Sequence, residues 1–282
     1  MGSKIIKAKT LAPKVVQLEL EAPHIARKHK AGQFIIIRPT ENGERVPMSV
    51  ADRNLATGTI TTVVQEVGVS SSHLCAMQAG GEVTDLVGPL GKPTHIENFG
   101  TAVCVGGGAG IPPLHTIAQE LKASGNHVIS ILGGRTKEYV MMEDELRATS
   151  DEVIVCTDDG SYGKKGFVTV CLQELIDQGR TLDYVIAVGP PIMMKAVADV
   201  TRPHNINTWA SLNTIMIDGT GMCGACRVTI GGNTRFVCVD GPEFDAHEVD
   251  FDEMLSRLSM YVDLEKQAMG HHEHECKLAA AK

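Results

Sequence analysis

Three cysteines and one aspartate near the end of the chain carry its most specific chemistry. They lie in MIDGTGMCGACRVTIGGNTRFVCVDGP, where Cys223 and Cys226 form a C-x2-C pair and Cys238 follows at a distance. The plant-type [2Fe–2S] pattern is C-x4-C-x2-C with a remote fourth cysteine. Counting back from Cys223 by that rule lands on Asp218, a carboxylate where a thiolate is usual. Glycines at 219, 221 and 224 let the loop wrap tightly and turn its N–H groups toward inorganic sulfide. The stretch CRVTI–GGN–TRFVCV reads as a hairpin whose second arm brings Cys238 back to the loop. Zinc is a competing occupant, because C-x2-C with a third cysteine and an Asp or His also holds that ion. Inert buried thiols are the bland alternative. The spacing favours a [2Fe–2S] cluster on Asp218, Cys223, Cys226 and Cys238, and so an electron carrier rather than a simple dehydrogenase.

A second set of residues suits a nucleotide. Gly106, Gly107, Gly108, Ala109 and Gly110 connect the apolar run TAVCV to a helical segment that begins Ile111-Pro112-Pro113. There a pyrophosphate can approach bare backbone and sit on a helix N-terminus. GGGAGIPP is not a strict GxGxxG, and a tight strand-to-helix turn by itself also requires glycine. Gly189-Pro190-Pro191 ends another apolar strand, and strand C-terminal ends line the crevice of an open α/β sheet. A rigid loop at that place would press on a nicotinamide; an ordinary turn before a helix is the alternative. Asp158 and Asp159 can accept ribose hydroxyls and would repel a 2′-phosphate, which favours NAD(H) over NADP(H). Arg135 pulls the other way, and all three also read as solvated loop charges.

The elements that must position these residues follow from pattern. Up to about residue 98, KVVQLEL, QFIIIRP, MSVADR, TGTITTVVQEV and GEVTDLVGPLG are short β-type runs divided by turn signals, as in an antiparallel barrel. From about 101, TAVCVGGG, HVISILGGR, EVIVCTDDGS and DYVIAVGPP alternate with helical stretches, which argues for a parallel sheet covered by helices. NINTWASLN adds a last strand, and a helix from about 252 closes the chain. The expected fold is a β-barrel plus α/β: a barrel over 1–98, a nucleotide-binding domain over 99–208, a cluster subdomain over 209–265 and a tail over 266–282. The 282 residues suffice for this, and aromatics are scarce at 4%. A net charge of −8 without a basic run argues against nucleic acid. No apolar stretch reaches the length of a membrane span and the N-terminus lacks a signal-peptide core. Cys75, Cys104, Cys156 and Cys171 stand singly and read as small buried hydrophobes, so free thiols beside a cluster set point to a reducing, cytoplasmic setting.

The order of motifs (a β-rich barrel, GPLGKP, GGGAGIPPL, TDDGSYGKKGF, GPPIMMKA, then a cysteine cluster) resembles the ferredoxin–NADP reductase superfamily, in its branch of dihydroorotate dehydrogenase electron-transfer subunits. IMIDGTGMCGACRV and FVCVDGPEFDAHEVDF are most similar to the small subunits of NADH-dependent reduced ferredoxin:NADP oxidoreductases, also called sulfide dehydrogenase beta subunits. The resemblance implies FAD on the barrel. Arg45-Val46-Pro47-Met48-Ser49 resembles the R-x-Y-S stretch along the isoalloxazine, with Met48 in the stacking place and the arginine one position early. Gly68, Ser70 and Ser71 resemble the FAD pyrophosphate loop. The implied cofactors are FAD, a [2Fe–2S] cluster and NAD(H). The implied partner is a large subunit with its own flavin and [4Fe–4S] clusters, in an electron-bifurcating heterodimer. Alternatives are the electron-transfer subunit of a dihydroorotate dehydrogenase or a sulfide dehydrogenase, or a redox-sensing module without turnover. His271, His272, His274 and Cys276 read as a polar terminus and receive no role.

Overall fold

The computed structural model describes residues 2–280, with side chains described as far as His274 apart from Glu273. Its first region is antiparallel: β1 (Ser3–Ala12), β2 (Val15–Glu21), α1 (Pro23–Lys28), β3 (Phe34–Arg38), β4 (Val46–Ser49), β5 (Asp52–Asn54), β6 (Thr59–Gln65), α2 (Val69–Ala76), β7 (Glu82–Val83) and β8 (Asp85–Leu90). Two sheets, in the orders β5-β6-β2-β1-β7 and β4-β3-β8, face each other across Leu18, Leu20, Ile35, Ile37, Ile60 and Leu74. MSVADR, expected as one strand, is divided. Val50 and Ala51 turn inward, so β4 pairs with β3 while β5 pairs with β6, and the chain changes sheets there as barrel corners require. The sequence pattern also passed over β1, whose lysines alternate with few apolar residues.

The second region is the expected α/β unit: β9 (Thr101–Gly107), α3 (Ile111–Ala123), β10 (His127–Gly134), α4 (Glu143–Thr149), β11 (Glu152–Thr157), β12 (Lys164–Lys165), α5 (Val168–Asp177), β13 (Tyr184–Val188), α6 (Pro191–Thr201) and β14 (Thr208–Ser211). Proline at the first positions of α3 and α6 removes N–H groups that would have no intrahelical partner. The C-terminal region adds β15 (Arg227–Ile230), β16 (Asn233–Phe236), α7 (Val237–Asp240), β17 (Glu243–Asp245), α8 (Phe251–Leu258) and α9 (Val262–Ala280). The large sheet runs β12-β11-β10-β9-β13-β14-β17 and is parallel up to β14, where β17 joins antiparallel. Strand order reverses between β9 and β13, which is where an open α/β sheet forms its ligand crevice.

The three regions share one interior. Phe34 and Ile36 of the barrel, Val105, Ala187 and Phe244 of the sheet, and Cys226 and Val228 beyond it belong to a single buried cluster. Beside it a carboxyl is enclosed. Glu243 on β17 accepts a hydrogen bond from the Thr94 hydroxyl at 2.7 Å, and Tyr184 of β13 and Cys104 of β9 face it. Burial pushes its carboxyl from 4.5 up to about 7. A raised acid favours the folded state while protonated, so that stabilisation is complete below 4.5 and is lost as pH rises through about 7. Wild type is therefore expected to lose on the order of 3 kcal/mol between pH 5 and 8 from this group. Glu243→Gln, which keeps the Thr94 acceptor, should abolish that difference in urea unfolding. Equal pH dependence in both proteins would show that the carboxyl titrates normally.

Candidate functional site

A cavity of about 990 Å³ lies between the barrel and the C-terminal ends of the sheet strands. From β4 it receives Pro47, Met48 and Ser49; from the turn after β9, Gly107, Gly108, Ala109 and Gly110; and from the turn after β13, Gly189, Pro190 and Pro191. Arg135 and Asp158, following β10 and β11, complete its far end. Both glycine-bearing turns thus stand at the strand-order reversal, with α3 and α6 opening on the cavity. Gly110 is packed so closely that a Cβ there would meet the Val188 carbonyl, and one at Gly189 would meet the Met193 methyl at 2.8 Å. The wall is bare backbone at the place where phosphate oxygens need N–H donors.

Five of the expected cofactor residues stand elsewhere. Asp159 accepts from the Ser161 N–H and hydroxyl and closes its own turn, leaving only Asp158 at the cavity. Residues 68–71 form the first turn of α2 and not an open loop. The Ser71 oxygen accepts from the Val67 and Gly68 N–H groups at 2.9 Å, and Ser70 bonds Glu44 at 3.0 Å. Gly68, Ser70 and Ser71 therefore cap a helix beside the cavity without lining it. Arg45 departs furthest from expectation. Its Nε donates to the Ile217 carbonyl at 2.9 Å, on the metal-candidate loop and outside the cavity. Side chains alternate along extended chain, so an arginine one place early points to the opposite side. Residues that pattern reading missed include Val67, Tyr139, Phe167 and Ile192, all of which line the cavity. They are apolar or loop residues without a sequence signal.

The Asp218–Cys226 loop packs against the barrel. Gly219 has φ +75, and a Cβ on it would meet Ile36 and Leu90 at 2.6 and 2.9 Å, so only glycine fits this approach. Asp218 accepts from the Thr220 and Cys223 N–H groups, each at 2.8 Å. Those bonds, Thr220 first, hold its carboxyl below the ordinary range and keep it ionised. Cys226 and Cys238 are buried with their sulfurs 3.2 Å apart and no disulfide between them. Cys238 was expected on the hairpin's second arm. The ladder instead ends at Arg227–Phe236, the Val237 N–H bonds the Cys226 carbonyl, and Cys238 turns inward on α7. Burial and the adjacent Cys226 thiol push Cys238 up to about 12, so this sulfur becomes a thiolate at neutral pH only against a cation. Cys223 is exposed at the rim. Among the described residues no three such donors are already gathered about one point. Two sulfurs meet, while the other two donors share a loop. The side chain of Cys276 lies outside the described residues; His272 packs edge-on against His73 of α2.

Residues 213–250 match the iron-sulfur cluster binding domain of dihydroorotate dehydrogenase B, and residues 104–199 match the oxidoreductase NAD-binding domain. The dihydroorotate dehydrogenase B (NAD(+)) electron transfer subunit homolog of Thermotoga maritima is 46% identical over 94% of this chain and 93% of its own length. The chain belongs to the dihydroorotate dehydrogenase B electron-transfer subunit family. The Geobacillus thermodenitrificans electron transfer subunit of that family is 34% identical over 87% of this chain and 96% of its own. A solved chain from an NADH-dependent reduced ferredoxin-NADP oxidoreductase, described for its insights into flavin-based electron bifurcation, superposes with a TM-score of 0.91 at 44% identity, covering 96% of this chain and 97% of that one. The family places this chain among oxidoreductase electron-transfer subunits, with an NAD-binding domain and an iron–sulfur domain on a ferredoxin reductase-like fold. No helix among the described residues is long and apolar enough to cross a membrane.

Proposed function

We propose that this subunit passes electrons between NAD(H), FAD and a [2Fe–2S] cluster, and onward to a large flavin and [4Fe–4S] subunit of an electron-bifurcating NADH-dependent reduced ferredoxin:NADP oxidoreductase. The observation that carries the bifurcating assignment is the near-complete superposition on a chain of such an enzyme, at 44% identity. The similarity of IMIDGTGMCGACRV, which carries Asp218, to the small subunits of such enzymes agrees with it. The names of the curated relatives favour a second reading, the electron-transfer subunit of a dihydroorotate dehydrogenase.

The residues fit the groups this function needs. Flavin, when bound, supplies the exchange between two-electron hydride chemistry and single electrons. Gly107 to Gly110 and the start of α3 would offer N–H groups to a pyrophosphate, and Gly189-Pro190-Pro191 would hold a nicotinamide from the opposite turn. Pro47 and Met48 would present an apolar face to a flavin ring, while the Ser49 hydroxyl would offer it a hydrogen bond. Asp218, Cys223, Cys226 and Cys238 would hold the iron. The loop that carries them also presents Ile217 and Met222 to solvent, 54% and 88% exposed, with Val239 and Met260 nearby in sequence order on α7 and after α8. Exposed apolar side chains beside an electron-transfer centre suit a partner subunit.

Two experiments test this. With the native heterodimer, reduction of ferredoxin by NADPH should require NAD; reduction that ignores NAD would count against bifurcation, and orotate formation in its place would establish the second reading. With this subunit alone, Asp158→Ser should narrow the preference for NADH over NADPH about tenfold, because one carboxylate faces the ribose and Arg135 remains to receive a 2′-phosphate. An unchanged ratio of kcat/KM values would remove Asp158 from cofactor selection.

A further inference from the structure

We infer that Arg45, Arg227 and Arg257 form a cationic collar on the metal-candidate loop, fixing its path and setting its reduction potential; the inference rests on the iron–sulfur reading of that loop. Three separate elements supply the arginines: the segment before β4, the first residue of β15, and α8. Arg45 donates to the carbonyls of Ile217 at 2.9 Å and Asp218 at 3.4 Å. Arg227 donates to Gly224 at 3.2 Å, and Arg257 to Ala225 at 3.2 Å. The loop between Asp218 and Cys226 is therefore gripped by guanidinium groups at both ends. Every one of these bonds goes to a backbone oxygen, and no ion pair neutralises the three arginines among the described residues. They keep their full charge facing the loop.

That charge acts on any centre the loop holds. Reduction of an iron–sulfur cluster adds one negative charge, and net charge with hydrogen bonding around the cluster sets its potential. Three nearby cations favour the reduced state by Coulomb attraction, most strongly where water does not screen them. Arg45 and Arg257 are half-buried and Arg227 is exposed, so the first two carry most of the effect. The hydrogen bonds have a second consequence. Carbonyls at 217, 218, 224 and 225 are tied to the arginines, which fixes the path of the backbone on either side of Cys223. Arg45 also adjoins Val46, the first residue of the strand that lines the cavity. One side chain thus ties the flavin wall to the metal loop.

The test is an anaerobic redox titration of the full chain, followed by the paramagnetic signal of the reduced cluster, with iron content measured in parallel. Arg45→Met and Arg257→Met should each raise the oxidised-to-reduced ratio at the wild-type midpoint about tenfold, which is 59 mV for a one-electron couple. Arg45→Lys and Arg257→Lys keep the charge and should stay within about threefold of wild type. Arg227→Met should shift least. If Arg45→Met fails to take up iron, the Arg257 pair and Arg45→Lys decide the matter. Iron-loaded methionine variants with the wild-type midpoint, or lysine variants shifted as far as methionine ones, would overturn the collar alone. A wild-type chain lacking iron and signal would remove the functional reading beneath it.

Discussion

Cys226→Ser is expected to remove nearly all iron and acid-labile sulfide from the purified chain while NADH oxidation by a two-electron dye persists. The asymmetry follows from geometry. Cys226 is 1% exposed, and its sulfur lies 3.2 Å from Cys238 and 3.5 Å from the Cys238 N–H. It joins the loop to α7. A serine oxygen is shorter and harder than thiolate sulfur, and iron–sulfur clusters are held by soft thiolates. Cys223 sits at the exposed rim, where a shifted side chain has room to adapt, so Cys223→Ser should retain part of the metal. The turns after β9 and β13, which would hold the nucleotide, make no use of Cys226, so hydride chemistry should survive. Metal analysis decides between occupants. Stoichiometric zinc in wild type, unchanged in Cys226→Ser, would refute the cluster; serine protein with full iron and an intact reduced-state signal would remove Cys226 from the ligand set. Loss of fold is a separate readout. Exchanging one buried thiol for a hydroxyl should cost about 1–3 kcal/mol, visible in thermal unfolding.

Most of the architecture was legible because its signals are local. Apolar runs closed by Gly107 to Gly110 or by Gly189-Pro190 mark parallel strands, and Pro112-Pro113 with Gly125 bracket α3. The C-x2-C pair could be read for the same reason, as its geometry is set within one loop. What failed to appear in the sequence depends on where a chain goes next. Arg45 and Ser49 differ from the R-x-Y-S spacing by one residue, and only the packing of the Ile217–Asp218 carbonyls against the barrel shows where the guanidinium is used. Ser70 and Ser71 have the composition of a phosphate loop, yet their oxygens are consumed by Glu44 and by the N-terminus of α2. Hairpin periodicity ran the second strand on through Cys238, whereas Val237 leaves the ladder to bond Cys226 and Cys238 falls on α7. Burial of Glu243 was equally hidden: β17 is three residues long, and its place at the sheet edge exists only once β14 is formed.

Gly110→Ala is expected to weaken NAD(H) binding at least tenfold while the metal loop keeps its iron. Gly110 has an ordinary helical φ of −84, so conformational freedom is not what the position requires. Space is. An added methyl would meet the Val188 carbonyl and stand 2.6 Å from the Gly189 Cα, both of them backbone atoms that cannot rotate away. The turn after β9 and the turn after β13 must then separate, and these are the two walls that would grip the pyrophosphate and the nicotinamide. Core overpacking of this kind costs about 1–3 kcal/mol, which divides between the stability of the domain and the geometry of the cleft. The same methyl at Gly108 meets nothing within 4 Å. Its penalty comes only from the φ of +54, so Gly108→Ala should lower stability with a smaller loss of affinity. Isothermal titration of both variants with NADH separates the two effects. Near-wild-type affinity in Gly110→Ala would mean that the turns do not close on the nucleotide, and that the nicotinamide reaches the barrel from another side of the cavity.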